Sequence, residues 1–206
     1  MLRIVLSGYL DVKPVDVAFE IGHSGKPRLA DRNGPRFNLS HAGIRGLVAV
    51  SAAREVGIDI EEVRELDDLE NLARTSFSAV ERAALAAVPV QYRQWAFFAG
   101  WTRKEAFLKA LGEGLSIPLD SFDVTLAPGE PARLLQLRGA PSAPARYELR
   151  ALRPAPGHVG ALAIEGLDAT IRYRSWRLLS ALLEESLAEG LKSMTADSPA
   201  RAGNLG

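Results

Sequence analysis

Apolar and polar residues alternate along the first part of the chain with the two-residue period of β-strands. This alternation predicts strands over residues 15–21 and 36–43, with turn residues between them. The runs 47–51 and 56–60 are separated by a short connection, which predicts a β-hairpin. The apolar start over 3–10 is too short to distinguish a strand from a helix.

From residue 66 onward the spacing of apolar residues becomes helical. Ser78 and Glu81 form a Ser-x-x-Glu sequence, which predicts a capping box at the start of a helix over 79–87. A long helix rich in aromatic residues is predicted over 92–111. Gly112 and Gly114 follow this helix directly and are typical of a helix end.

The last part of the chain returns to strand patterns and closes with a helix. A final amphipathic helix is predicted over 172–191, and the small, polar residues 193–206 predict a loose tail. Because strands and helices come in blocks rather than in strict alternation, the predicted fold class is α+β rather than a doubly wound sheet. The strand-like runs between Pro- and Gly-containing turns are 121–126, 133–137, 147–152 and 158–164.

Composition narrows the classes of function. The 206 residues can bury one substantial core, and the 25 basic and 25 acidic side chains cancel, so no global field attracts nucleic acid or an anionic membrane. There is no cysteine, which excludes disulfides, thiolate metal sites and thiol nucleophiles. Three dispersed histidines make a zinc site improbable. No apolar run is long enough to span a bilayer, and we expect a cytoplasmic protein.

Two pairs of charged residues stand out within this pattern. Asp59 and Glu61 lie two residues apart in a predicted strand, so their side chains project from the same face. They are either both solvated or separated by a cation. Glu105 and Lys109 lie four residues apart on one face of the long helix, with Lys104 beside them. As an exposed pair they would contribute only about 0.2–0.5 kcal/mol.

The polar residues of interest suit a diphosphate held through a hard metal ion. Oxygen donors without cysteine favour Mg²⁺ or Mn²⁺. Two like charges about 4 Å apart cost about 4 kcal/mol at an effective dielectric near 20, so clustered carboxylates facing a pyrophosphate need a cation. Taken singly, Lys26 could be a solvated loop lysine and His41 a structural histidine. The candidate residues are Lys26, Ser40, His41, Asp59, Glu61, Lys104, Glu105 and Lys109.

Three motifs in this order resemble those of a known enzyme family. Gly-Ile-Asp-Ile-Glu at 57–61 and Trp-Thr-Arg-Lys-Glu-Ala-Phe-Leu-Lys-Ala at 101–110 resemble the paired signature of the 4'-phosphopantetheinyl transferase superfamily. Phe-Asn-Leu-Ser-His at 37–41 resembles the extra motif of its larger, surfactin-synthetase-activating class, known as group II. The resemblance extends from about residue 15 to residue 164.

The resemblance implies a function and a role for each matching residue. It implies transfer of 4'-phosphopantetheine from coenzyme A to a serine of an apo acyl or peptidyl carrier protein, as in holo-acyl-carrier-protein synthases, with release of adenosine 3',5'-bisphosphate. It implies that Asp59, Glu61 and Glu105 bind Mg²⁺ on the coenzyme A pyrophosphate and that Glu105 helps to deprotonate the serine. It also implies that Lys109, with Lys104 close by, contacts the pyrophosphate. The positions implied to hold coenzyme A phosphates, the 3'-phosphate in particular, are Lys26, Ser40 and His41.

The resemblance also implies a two-part organisation. It predicts two similar α/β-type halves related by pseudo-twofold symmetry, with the first half shortened at its N-terminus. The predicted parts are 1–63, 64–170 with the catalytic helix, a C-terminal helix at 171–192 and a flexible tail at 193–206. We expect a monomer. Two alternatives stay open: a homologue that binds carrier protein or coenzyme A without turnover, and a metal-dependent phosphohydrolase.

Overall fold

The structure is a computed structural model in which residues 1–22, 25–112 and 117–175 are described. The chain divides into two units, Leu2–Ala169 and a second one formed by Met1 with Thr170–Gly206. In the second unit, residues 170–175 form neither helix nor strand. The fold presented below is that of the first unit.

The described residues form four α-helices and nine β-strands, listed here in chain order. The helices are α1 (Leu2–Leu10), α2 (Leu69–Ser76), α3 (Ala79–Ala87) and α4 (Val90–Leu111). The strands are β1 (Phe19–Ile21), β2 (Pro27–Leu29), β3 (Arg36–Ala42), β4 (Arg45–Ser51), β5 (Val56–Glu62), β6 (Phe122–Val124), β7 (Leu134–Leu137), β8 (Tyr147–Leu152) and β9 (His158–Glu165).

All strands pair in antiparallel fashion within four small sheets. Three of the sheets are two-stranded and pair β1 with β2, β3 with β4, and β6 with β7. The fourth has the order β5-β9-β8. The side chain of Asn38 on β3 accepts a hydrogen bond from the Ile58 N–H of β5 (2.8 Å), and this bond links the β3–β4 hairpin to the three-stranded sheet.

Helix α4 lies in the centre of the hydrophobic core, where it contributes to two clusters of buried residues. Toward its N-terminus, Phe97 and Phe98 pack with Phe77, which directly follows α2, and with Leu85 of α3. Toward its C-terminus, Ala106 and neighbouring apolar residues pack against β6, β7, β8 and β9. Because it is covered by helices at one end and by strands at the other, α4 is buried on most of its circumference in its second half. A third cluster packs α1 against β2 and β3.

The predicted helix ends agree with the structure. The Ser78 side chain accepts from the Glu81 N–H (3.2 Å), and the Glu81 side chain accepts from the Ser78 N–H (2.9 Å), which completes the capping box of α3. Helix α4 ends at Leu111 and is capped by Gly112, whose φ of 71° is left-handed and whose N–H donates to the Leu108 carbonyl.

The backbone of β5 lies in very close contact with that of α4 at Gly57. A Cβ built on Gly57 would lie 2.0 Å from the carbonyl oxygen of Ala106 and 2.3 Å from the backbone nitrogen of Ala110. No residue with a side chain fits at this distance, so Gly57 is required for the contact. The strand and the helix therefore meet directly, and residues next to this crossing come close to one another.

The α+β class is confirmed, and most strands of the last part lie where the pattern places them. The hairpin predicted for 47–51 with 56–60 is wrong, because β4 pairs with β3 and β5 pairs with β9. Gly43, with φ 56°, supports a tight turn between β3 and β4. Strand β5 is buried on both faces over Val56–Ile60 and is covered by α4 rather than by a hairpin partner.

Other predictions are revised or lie outside the described residues. The apolar start is a helix, α1, and only Phe19–Ile21 of the predicted 15–21 strand is extended in a sheet. Because β5 pairs with β9, the two predicted halves share a sheet, and their symmetry stays a prediction. Most of the predicted 172–191 helix and all of the 193–206 tail lie outside the described residues. No helix in the described ranges is long and apolar enough to cross a membrane.

We predict that Gly57→Ala destabilises the protein by about 2–3 kcal/mol or more, because the new methyl group forces β5 away from α4. The measurement is the free energy of unfolding by chemical denaturation. The matched control is Gly8→Ala within α1, where nothing lies within 4 Å of a built Cβ and the substitution should stabilise the helix by about 0.5–1 kcal/mol. Equal stability of the two variants would contradict the close contact.

Candidate functional site

Three chain segments bring polar side chains together where β5 crosses α4. Lys109 Nζ on α4 lies 2.7 Å from Asp59 Oδ1 on β5, and the side chain of Asp59 is only 5% exposed. Ser40 Oγ on β3 donates to the same Asp59 oxygen (2.8 Å), and Lys109 Nζ donates to Ser40 Oγ (3.3 Å). These side chains form a closed hydrogen-bonded triangle.

The backbone contact at Gly57 explains why this triangle forms. Gly57, Asp59 and Glu61 share one face of β5, and that face is pressed against the Ala106–Ala110 turn of α4. Lys109 belongs to that turn and Glu105 directly precedes it, so the contact brings their charges to the β5 carboxylates. The acidic face of β5 therefore faces the helix, and the reading in which both of its carboxylates are solvated is wrong for Asp59.

Asp59 contributes only one of its two carboxylate oxygens, Oδ1, to this triangle. Its Oδ2 is buried and makes no hydrogen bond within the part of the chain that the structure describes. Burial raises the pKa of Asp59 above its ordinary value, and the Lys109 ammonium and the Ser40 hydroxyl oppose this shift. A buried carboxylate oxygen without a donor is costly, and it would be satisfied by a cation.

Glu61 and Glu105 are close enough to Asp59 to feel its charge. Burial raises the pKa of both glutamates, and the negative charge of Asp59 raises it further in each case. Lys109 opposes both shifts. A side-chain hydrogen bond with Trp101 and the charge of Arg64, whose Nη1 lies 4.0 Å from Oε2, also lower the pKa of Glu61.

The three carboxylates and Lys109 thus form one electrostatic group, hereafter the carboxylate cluster. Among the described residues, no three His, Cys, Asp or Glu side chains lie close enough to share a metal ion as they are placed. Lys109 is the cation that contacts Asp59 directly. The donor set nevertheless fits a hard divalent ion, because it offers carboxylate oxygens, a buried oxygen without a donor and mutual repulsion that positive charge would relieve.

Lys26 and His41 lie outside the hydrogen-bonded triangle. Lys26 Nζ contacts Glu55 Oε2 (3.3 Å) and donates to the Val56 carbonyl (3.2 Å) at the start of β5. His41 is exposed at the strand position next to Ser40, and alternation along β3 turns its side chain to the opposite face. Their assignment to coenzyme A phosphates stays a prediction.

The predicted phosphate-binding role of Lys104 is wrong. Its side chain is 0% exposed, and its Nζ lies 2.8 Å from Glu81 Oε2. It also donates to the backbone carbonyls of Leu119 and Phe122, both at 2.6 Å. Consecutive helical residues point about 100° apart, so Lys104 turns into the core while Glu105 faces β5. Burial raises the pKa of Glu81 and lowers that of Lys104, and each partner's charge opposes the other's shift.

Sequence reasoning missed three residues that support the site. The Asn38 side chain on β3 accepts a hydrogen bond from β5. The Trp101 side chain is a hydrogen-bond partner of Glu61. Glu81 forms an ion pair with Lys104 and also accepts a hydrogen bond from the Val124 N–H (2.8 Å). Asn38 lies inside the Phe-Asn-Leu-Ser-His motif, where a polar residue between two apolar strand positions was an available signal. For Glu81, the capping box was recognised but its second role was not.

Comparisons with known proteins agree on one family. The family model described as "4'-phosphopantetheinyl transferase superfamily" matches residues 55–163. The 4'-phosphopantetheinyl transferase HetI of Nostoc is 41% identical over 169 residues, which are 81% of this chain and 68% of HetI. The 4'-phosphopantetheinyl transferase Sfp of Bacillus subtilis is 36% identical over 126 residues, 61% of this chain and 55% of Sfp.

Other matches are partial as well. The 4'-phosphopantetheinyl transferase AcpT of Salmonella typhi is 38% identical over 124 residues, 60% of this chain and 62% of AcpT. The chain therefore spans less than two thirds of Sfp and AcpT. Among solved structures, the holo-[acyl-carrier-protein] synthase of Thermotoga maritima is 19% identical, with a TM-score of 0.41, over 55% of this chain and 64% of that chain.

We predict that Lys104→Met lowers the free energy of unfolding by about 3–5 kcal/mol, because it leaves the Glu81 carboxylate buried without its counter-ion. Chemical denaturation provides the measurement. The matched control is Lys13→Met at an exposed position, which should change stability by less than about 0.5 kcal/mol. Two variants of equal stability would show that Lys104 is not paired in the core.

Proposed function

Because the chain belongs to the 4'-phosphopantetheinyl transferase superfamily, we propose that it transfers 4'-phosphopantetheine from coenzyme A to a serine hydroxyl of an apo acyl or peptidyl carrier protein. Adenosine 3',5'-bisphosphate is the second product. Family membership confirms the resemblance found in the motifs at 57–61 and 101–110. The observation that carries the proposal is the meeting of Ser40, Asp59 and Lys109, with Glu61 and Glu105 beside them.

Asp59, Glu61 and Glu105 would hold one Mg²⁺, or Mn²⁺ in its place. The buried Asp59 Oδ2 and the mutual repulsion of the three carboxylates support this assignment, since oxygen ligands are the ones these ions prefer. When bound, the ion supplies charge stabilisation to the diphosphate of coenzyme A. The carboxylates would otherwise repel that diphosphate strongly.

Lys109 would have one interaction partner before coenzyme A binds and another afterwards. Without ligand it neutralises Asp59, and its side chain is 29% exposed, so its ammonium has access to solvent and to an incoming diphosphate. With coenzyme A bound, it would contact the pyrophosphate and stabilise the negative charge that develops on the departing phosphate. Ser40 and His41 would contact coenzyme A phosphates from β3, and Lys26 would contact the 3'-phosphate.

Glu105 would act as the general base toward the carrier serine. A serine hydroxyl is a weak nucleophile, and a carboxylate within hydrogen-bond reach accepts its proton as the oxygen attacks phosphorus. Glu105 is half-buried on the face of α4 that looks at β5, next to the carboxylates proposed to bind the ion. This location allows it to act on a hydroxyl that approaches the diphosphate.

The partners and location expected from the sequence belong to the same proposal. The equal numbers of acidic and basic residues support a protein that acts on a carrier protein and coenzyme A rather than on nucleic acid or membrane. A cytoplasmic monomer stays a prediction. The two alternatives, a binding homologue without turnover and a metal-dependent phosphohydrolase, differ from the transferase in the products they form.

We predict that Glu105→Gln slows transfer at least about 100-fold, because the amide cannot accept the serine proton. The protein is incubated with an apo carrier protein, coenzyme A and Mg²⁺, and mass spectrometry measures the phosphopantetheine adduct. Glu62→Gln, an exposed site at the end of β5, is the matched control and should keep full activity. Coenzyme A breakdown without an adduct would instead indicate a phosphohydrolase, and binding without either product a non-catalytic homologue.

We also predict that chelation of divalent ions by excess EDTA stops adduct formation and that added Mg²⁺ or Mn²⁺ restores it. Direct binding of Mn²⁺ to the wild type and to Asp59→Asn, measured by calorimetry with coenzyme A present, should show at least about tenfold weaker binding in the variant. Undiminished transfer in excess EDTA would contradict a role for the ion.

A further inference from the structure

A second group of charges lies near the carboxylate cluster and consists of Lys26, Arg36 and Glu55. Glu55 Oε2 is 3.3 Å from Lys26 Nζ, and Glu55 Oε1 is 3.2 Å from Arg36 Nε. Lys26 directly precedes β2, Arg36 opens β3 and Glu55 directly precedes β5, so three separate segments contribute one charge each. Two cations share one carboxylate, and the group has a net positive charge.

The three side chains differ in how firmly they are held. Lys26 is 19% exposed and donates to the Val56 carbonyl, and a methyl group built on Gly112 would lie 3.8 Å from its Cδ. Lys26 is thus fixed between the start of β5 and the end of α4. The Glu55 side chain is 40% exposed and Arg36 is 41% exposed. Glu55 therefore has room to rotate into solvent, whereas Lys26 stays in place.

The two groups lie along the same strand, at a separation that a ligand with phosphates at two positions can span. Lys26 bonds the carbonyl of Val56, and Asp59 lies three residues further along the same strand, which corresponds to about 10 Å at 3.3 Å per residue. Coenzyme A carries a diphosphate on the 5' side of its ribose and a phosphate monoester on the 3' side. With the diphosphate at the carboxylate cluster, the monoester would be within reach of Lys26.

On the basis of the proposed function, we propose that Lys26 and Arg36 together bind the 3'-phosphate of coenzyme A and that Glu55 holds this phosphate position in the unliganded protein. A phosphate monoester carries a charge of about −1.5 to −2 at pH 7 and three acceptor oxygens, so it neutralises two cations better than one carboxylate does. On binding, the Glu55 carboxylate moves into solvent. No covalent bond changes in this exchange.

The Glu55 carboxylate therefore competes with the 3'-phosphate for Lys26 and Arg36. It lowers the affinity for any ligand that bears the 3'-phosphate, and that phosphate is present on coenzyme A and on the product adenosine 3',5'-bisphosphate. Removing the Glu55 charge should tighten the binding of both. Dephospho-coenzyme A, which lacks the 3'-phosphate, does not need the position that Glu55 occupies.

Isothermal titration of wild type and variants with coenzyme A and with dephospho-coenzyme A tests this proposal. We expect Glu55→Gln to bind coenzyme A about three- to tenfold tighter and Arg36→Gln about three- to tenfold more weakly, as suits partly exposed ion pairs. Neither variant should change the binding of dephospho-coenzyme A. Glu20→Gln is the matched control, because Glu20 is 45% exposed and pairs with Arg28 in the β1–β2 hairpin, and it should bind both ligands as the wild type does.

Three results would overturn the proposal: Glu55→Gln indistinguishable from Glu20→Gln, weaker coenzyme A binding by Glu55→Gln, or equal shifts for both ligands. Thermal unfolding of each variant verifies that it is folded. The carrier-modification assay, run on the same samples, separates this proposal from the transferase function. Adduct formation with an unchanged Glu55→Gln affinity rejects only the phosphate exchange, whereas the expected affinities without an adduct reject only the transferase.

Discussion

The contact between the backbones of β5 and α4 at Gly57 is the constraint on which the site depends. It allows a strand and a helix to approach without intervening side chains, and a built Cβ at 2.0 Å from a carbonyl oxygen shows how little space remains. Side chains one or two positions away from this contact start from backbones that lie close together. Asp59 is therefore delivered to Lys109, and Glu105 to the neighbourhood of Asp59.

This arrangement concentrates charge of one sign within a largely apolar environment. Burial raises the pKa of Asp59, Glu61 and Glu105, and each of the two glutamates is affected by the charge of Asp59. Lys109 compensates part of this repulsion. Such a cluster is costly in a ligand-free protein, and positive charge from the divalent ion of the proposed function would lower that cost.

Two lysines on the same helix, five residues apart, have opposite uses. The Lys104 side chain is buried in the core, where the Glu81 carboxylate and two backbone carbonyl groups accept its three hydrogen bonds. Its fully buried pair with Glu81 fixes α4 against α3 and the segment before β6, and so fixes the helix that carries Glu105. Lys109 remains partly exposed and faces β5. The framework and the site thus use chemically identical groups on different faces of α4.

The amino-acid sequence by itself determined the local features and the family. Capping at Ser78, the end of α4 at Gly112 and the strands of the last part follow from turn chemistry and periodicity, which act over a few residues. The α+β class follows from the order of these elements, and the motifs around Asp59 and Glu105 identify the superfamily. These features depend on residues that are close together in the sequence or on the identity of single residues, and both can be read from the sequence.

Only the tertiary structure decided which segments meet. The pairing of β5 with β9 joins residues about a hundred positions apart, and no local pattern encodes such a choice. The ion pairs of Lys104 and of Glu55 could likewise not be predicted from the sequence, because the residues packed around a charged side chain decide whether it lies in the core or in the site. The helical period predicts that the side chains of Lys104 and Glu105 point in different directions. Only the packing around α4 shows which of the two enters the core.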